Sequence, residues 1–172
     1  ILPYQVLSMA KILVSGGCGY IGSHTIVDLI ENGYDVISID DQSRSTPYPL
    51  TGIELITGKR IKNYKVDLKN FDETLAVFQE NPDISAVIHF AAYKAVGESV
   101  EQPLLYYENN MGSLVSILKC VKEFNIQQVV FSSSCTVYGN PDRFPVTEET
   151  ALQEAVSPYG ATKQMGEQIL RD

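Results

Sequence analysis

Tyr159 and Lys163 stand four residues apart near the end of the chain. On a helix that spacing puts both side chains on one face. An ammonium held beside a phenol stabilises the phenolate, which turns an inert hydroxyl into a usable general base. Alone, Y-x-x-x-K describes many ordinary surface pairs, but its company here alters the reading. Ser132-Ser133-Ser134 closes an apolar run, and a hydroxyl at such a strand end can bond a substrate alcohol and pass its proton to the tyrosine. Three serines there also suit plain turn chemistry.

A second group of residues could hold an anion. The run from Ile12 to Gly22 reads I-L-V-S-G-G-C-G-Y-I-G, a strand turning into a helix through Gly16, Gly19 and Gly22. In that pattern the first glycine permits the tight turn, the second admits a pyrophosphate to the backbone, and the third lets the helix pack on the strand. Tyr20, Ile21 and Gly22 open the helix, whose N-terminus offers N–H donors and partial positive charge.

Asp40 ends the next apolar run, where an acid accepts hydrogen bonds from ribose hydroxyls and repels a 2′-phosphate. Asp41 adds to that repulsion and Arg44 opposes it, so the balance favours NAD over NADP. Asp67 reads either as a second contact on the adenine side or as a cap for the helix after it.

The elements that must carry these residues alternate. Strands are expected at Lys11–Ser15, Asp35–Asp40, Asn63–Asp67, Ala86–Phe90 and Gln128–Ser133, and helices at Tyr20–Asn32, Asn70–Asn81, Pro103–Phe124 and Ser157–Arg171. Gln42–Ile61, with its prolines and glycines, reads as a loop holding at most a short irregular helix. Strand–helix alternation implies a parallel, Rossmann-type doubly wound α/β sheet. Ligands of such sheets lie across the carboxyl ends of the strands. That adds Phe90, Ala91, Ala92, Tyr93 and Lys94, the two alanines being small enough to let a cofactor lie against backbone.

The expected chemistry follows from this placement. Tyr159 takes the proton of a carbinol while hydride passes from that carbon to the nicotinamide. Lys163 also holds the nicotinamide ribose, and Ser134 orients the substrate oxygen. His24 and His89 have no partner at metal spacing and read as structural, with no metal site.

At 172 residues the chain is the size of one domain with a real core. A net charge of −8 argues against a nucleic-acid partner, which would need clustered cations. Cys18, Cys120 and Cys135 show no CxxC pairing, which fits a reducing cytoplasm rather than a disulfide framework. Residues 1–8 are apolar but short and lack a basic start, so they read as an extension before Met9 rather than a signal peptide or membrane span.

Four stretches carry a resemblance: Gly16 to Thr25 (GGCGYIGSHT), His89 to Val100 (HFAAYKAVGESV), Phe131 to Gly139 (FSSSCTVYG) and Ser157 to Lys163 (SPYGATK). From Lys11 onward they resemble the extended short-chain dehydrogenase/reductase family, most closely its UDP-glucose 4-epimerase branch. The resemblance implies Ser134, Tyr159 and Lys163 as the catalytic trio, with Lys94, Ser134 and Tyr159 toward the substrate. For the dinucleotide it implies Gly16, Gly19, Gly22, Asp40, Asp67, Leu68, Phe90, Ala91 and Lys94. Ser132 joins them as the strand-end hydroxyl. Asn109 fits an N-x-x-G near the nicotinamide, although Asn110 could take that role.

The implied reaction interconverts UDP-galactose and UDP-glucose through a 4-keto sugar on tightly bound NAD, in a homodimer. Related dehydratases carry an Asp-Glu pair beside the catalytic hydroxyl, where this chain has Cys135 and Thr136. The resemblance also implies a smaller carboxyl-terminal region that binds the UDP-sugar. The chain stops at Asp172, so an incomplete nucleotide domain is expected, inactive alone and with sheet surface uncovered. Two alternatives stay open: another NAD-dependent sugar-nucleotide oxidoreductase or decarboxylase, and a non-catalytic NAD-binding module.

Overall fold

A computed structural model of the chain describes residues 10–172. The extension expected at 1–8 lies outside the described residues. Among the described residues, five strands form one parallel sheet: β1 (Lys11–Ser15), β2 (Asp35–Ile39), β3 (Lys62–Tyr64), β4 (Ile84–His89) and β5 (Gln128–Phe131). Their order across the sheet is β3-β2-β1-β4-β5. Six α-helices connect or follow them: α1 (Tyr20–Glu31), α2 (Tyr48–Thr57), α3 (Phe71–Glu80), α4 (Val96–Glu101), α5 (Pro103–Glu123) and α6 (Pro158–Arg171).

Alternation along the strands explains the layering. In β1, Ile12 and Val14 point to one face and Leu13 to the other, and all three are buried. Ile12 and Val14 pack with Ile26 and Ile30 of α1 and Ile53 of α2. Leu13 packs with Val77 and Phe78 of α3 and Ile117 and Cys120 of α5. Both faces are therefore covered, as a parallel sheet requires. The chain winds outward from β1 to β3, then crosses back to β4 on the other side of β1. That reversal opens a crevice at the carboxyl ends of β1 and β4, where ligands of such sheets sit.

Several boundaries differ from the sequence reading. Gln42–Ile61 contains the ten-residue helix α2, whose Pro49 lies in the first turn and whose C-cap, Gly58, has φ +69°. β3 ends at Tyr64 rather than Asp67, because only Lys62, Asn63 and Tyr64 find partners on β2. β4 starts at Ile84, where a bulge lets it pair with Lys11. The Ala91–Gln102 stretch also gains a short helix, α4.

Candidate active site

The turn from β1 to α1 closes on itself through the glycines. Gly16 has φ +75°, and a Cβ there would stand 2.9 Å from the Ala91 nitrogen, so the turn and the strand-end loop after β4 nearly touch. A Cβ on Gly22 would meet the Gly16 carbonyl oxygen at 2.2 Å, which fixes glycine where the helix leaves the turn. Gly19 is the N-cap of α1 and brings no side-chain cap, and no acid occupies the first turn. The N–H groups of Tyr20, Ile21 and Gly22, which helix geometry leaves without intrahelical partners, are thus free for an anion.

Asp40 sits one residue beyond β2 with its carboxylate braced from three directions. Oδ2 accepts from the Cys18 N–H at 3.0 Å, and Oδ1 accepts from the Gln42 N–H and the Ser45 hydroxyl, each at 2.9 Å. The acid therefore ties the glycine turn to the loop after β2. Asp67 Oδ1 accepts from the Lys69 N–H at 2.9 Å, while the cap of α3 is Asn70. Of the two readings of Asp67, the helix cap is the one the geometry removes.

Tyr159 and Lys163 come from the first two turns of α6, which Ser157 caps by accepting from the Gly160 N–H at 3.1 Å. Lys163 is only 4% exposed. Its Nζ donates to the Ser132 carbonyl at 2.7 Å and lies 4.8 Å from the Phe131 ring centroid and 5.8 Å from that of Tyr159. Among the described residues it makes no ion pair. Burial pushes its pKa down to about 8.

Beneath it, His89 is buried with Nδ1 2.7 Å from the Ser15 hydroxyl and its ring 6.1 Å from that of Phe131. Burial, then the Lys163 charge, pushes His89 down to about 3, so it is neutral. His24 bonds the Tyr20 carbonyl within its own helix.

One cleft of about 370 Å³ collects these groups. It is lined by Gly16, Gly19, Tyr20, Ile21, Gly22, Asp40, Asp41, Asp67, Leu68, Phe90, Ala91, Ala92, Lys94, Asn109, Ser132, Tyr159 and Lys163. Asn110 is not at the cleft: it is buried, accepting from the Tyr93 N–H and donating to the Tyr93 carbonyl and Thr162. Asn109 is thus the asparagine that faces the ligand space.

Ser134 lies outside the lining. It heads a 3₁₀ turn at Cys135–Tyr138, with its Oγ accepting from the Thr136 hydroxyl at 3.0 Å, while Ser133 donates to Glu167. Of the three serines, Ser132 is the one at the cleft. The sequence reading missed Ser43, Ser45, Glu98 and Tyr106 as lining residues. The serines follow an Asp pair, a turn-forming sequence that could have flagged them. Nothing local marks Tyr106, and Glu98 is marked only by its place in the His89–Val100 stretch.

Together, a glycine turn at a helix N-terminus and an acid at the end of the next strand make the arrangement of a doubly wound nucleotide-binding sheet, with a Tyr–Lys pair across the crevice. The chain belongs to the NAD dependent epimerase/dehydratase family, whose profile it matches over residues 12–172. It is 48% identical over 161 residues to the UDP-glucose 4-epimerase of Bacillus subtilis, covering 94% of this chain and 47% of that protein. With the Schizosaccharomyces pombe UDP-glucose 4-epimerase it shares 47% identity over 165 residues, covering 94% of this chain and 46% of the other. The structure of the Bifidobacterium longum UDP-glucose 4-epimerase in complex with NAD+ and UDP superimposes with a TM-score of 0.92 at 48% identity, covering 95% of this chain and 48% of that one. The chain spans about half the length of the curated relatives it matches. Among the described residues no helix is long and apolar enough to cross a membrane.

Proposed function

We propose that the protein interconverts UDP-galactose and UDP-glucose through a transient 4-keto sugar, using a tightly held NAD. The observation that carries this reading is the convergence of the Tyr159–Lys163 pair and the glycine turn on one crevice at the sheet's reversal. The cleft fits a dinucleotide on its own terms. The Gly16–Gly22 contact leaves no room for a side chain, the α1 N-terminus is uncapped and free of acid, and the Asp40 carboxylate is preformed. The N–H groups of Tyr20, Ile21 and Gly22 would hold the pyrophosphate, Asp40 the adenosine ribose, and Lys163 with Asn109 the nicotinamide end.

Bound there, NAD supplies a hydride acceptor that later returns the hydride. The chain's own part is proton handling and alignment. Tyr159 withdraws the hydroxyl proton at the sugar carbon being oxidised and gives it back on return. The Lys163 ammonium lies 5.8 Å from the centre of the Tyr159 ring and, among the described residues, pairs with no carboxylate. Its bond to the Ser132 carbonyl fixes where that charge sits. Ser134 and Lys94 are the further candidates for contact with the sugar nucleotide. Kinship with the epimerases supports a homodimer as the working assembly, and the free cysteines support a reducing, cytoplasmic setting.

The test mixes the protein, at its full natural length, with UDP-galactose while product and nicotinamide absorbance are followed together. UDP-glucose should accumulate with no net release of NADH. Stoichiometric NADH would instead mark a sugar-nucleotide oxidoreductase and end the epimerase reading.

A further inference from the structure

Arg44 lies in the loop after β2, next to Ser45, whose hydroxyl reaches the Asp40 carboxylate at 2.9 Å. In sheets of this kind an arginine near that acid is what accommodates the 2′-phosphate of NADP. By charge and by position, Arg44 could therefore offset Asp40. Its guanidinium is committed elsewhere. Nη2 lies 2.8 Å from Glu98 Oε1, and the guanidinium carbon stands 4.5 Å from the Tyr93 ring centroid. Glu98 is on α4 and Tyr93 in the loop before it, so the pair joins the loop after β2 to the segment after β4.

Glu98 is itself held from behind. The Tyr106 hydroxyl donates to Oε2 at 2.7 Å and accepts from the Ala95 N–H at 3.0 Å. Tyr106 is fully buried, which with the Glu98 bond pushes its pKa up to about 12 and keeps it a donor. The Tyr106 bond and then Arg44 hold the Glu98 carboxyl below its ordinary range, so its charge is present whenever the site works. A buried phenol thus fixes a carboxylate, and the carboxylate with an aromatic face fixes the arginine.

We propose that Glu98 is a specificity-determining residue for the cofactor: by holding Arg44 against Tyr93 it withholds the guanidinium from a 2′-phosphate and leaves Asp40 unopposed. The inference rests on the reading that the cleft holds a dinucleotide. It goes beyond that reading in giving the NAD-over-NADP choice to a residue on a different element from the acid that meets the ribose.

The experiment compares dissociation constants for NAD and NADP, by calorimetry on the full chain, for the unchanged protein, Glu98→Gln, and Glu98→Gln combined with Arg44→Met. Glutamine keeps an oxygen for Tyr106, so the support behind position 98 survives. In Glu98→Gln the ratio of NAD to NADP affinity should fall by about fivefold, the effect of one partly exposed charge pair changing partners. Adding Arg44→Met should restore the original ratio.

An unchanged ratio in Glu98→Gln overturns the inference. So does a gain that survives loss of Arg44, because it would then come from lower negative charge and not from a released guanidinium. A chain that binds neither dinucleotide defeats the cleft reading itself, an outcome distinct from either of these.

Discussion

Lys163 shows how one side chain can be costly to the fold and necessary to the site. Its pKa is about 8 in the folded chain against an ordinary 10.5, and desolvation is the cause. Between those values the lysine of the unfolded chain binds a proton that the folded chain's does not, so this residue's contribution to stability rises with pH from about 8 to about 10.5. Below 8 both states carry the charge and the burial penalty is felt in full. The rise should be on the order of 3 kcal/mol at 1.36 kcal/mol per unit. Buried Cys120 and Tyr106, both with raised pKa values, act the other way toward the top of that window. The readout is therefore the difference in urea-melt stability between the natural chain and Lys163→Met, which should shift by that amount in favour of the natural chain.

Activity should move the opposite way. Turnover that depends on the ammonium falls as pH passes about 8, and Lys163→Met should lower kcat by about 100-fold or more. A Lys163→Met protein with full turnover would remove the lysine from the mechanism.

This residue was legible because its signal is local: four positions from Tyr159, on one helical face. Glu98 and Tyr106 were not legible. Their meaning comes from Arg44 and Ala95, which folding alone brings to them. The three serines fall between these cases, since spacing marked the strand end but could not say which hydroxyl faces the cleft.

At the scale of elements, α2 carries the clearest lesson. Pro47, Pro49, Gly52 and Gly58 read as breakers, yet three of them punctuate a helix. Pro47 is its N-cap, Pro49 falls in the first turn where no N–H is needed, and Gly58 is the left-handed C-cap. Only Gly52 is inside the helix, and a Cβ there would meet nothing within 4 Å. Gly52→Ala should therefore stabilise the chain by about 0.8 kcal/mol, the helix-propensity difference.

Gly22→Ala makes the same chemical change where the Cβ would stand 2.2 Å from the Gly16 oxygen. It should destabilise by about 1–3 kcal/mol as the helix is pushed off the turn, and NAD affinity should fall with it. Thermal melts of the two variants side by side check this, and equal effects would remove the packing role given to Gly22. Strand edges were blurred for a related reason. Where β3 ends is decided by which residues find a partner on β2, not by its own apolar run.

At the scale of the whole molecule, the cleft has no single owner. Its lining is drawn from the glycine turn, the segments that follow β2, β3, β4 and β5, helices α4 and α5 and the first two turns of α6, so residues from Gly16 to Lys163 must be in place together. A ligand that touches all of them binds the folded state and has no equivalent site in the unfolded chain. At a free concentration of a hundred times Kd it adds about 2.7 kcal/mol to stability. For a chain of this size that corresponds to a rise in Tm of about 5–10 °C.

NAD should produce that rise, growing with the logarithm of its concentration, and NADP a smaller one because Asp40 repels its 2′-phosphate. Asp40→Asn should narrow the gap between the two cofactors, since the amide keeps an oxygen for Ser45 but loses the charge. A Tm that ignores both cofactors would mean that these residues do not together form a dinucleotide site. Equal rises with NAD and NADP would leave the site standing and remove the charge-based selectivity assigned to Asp40.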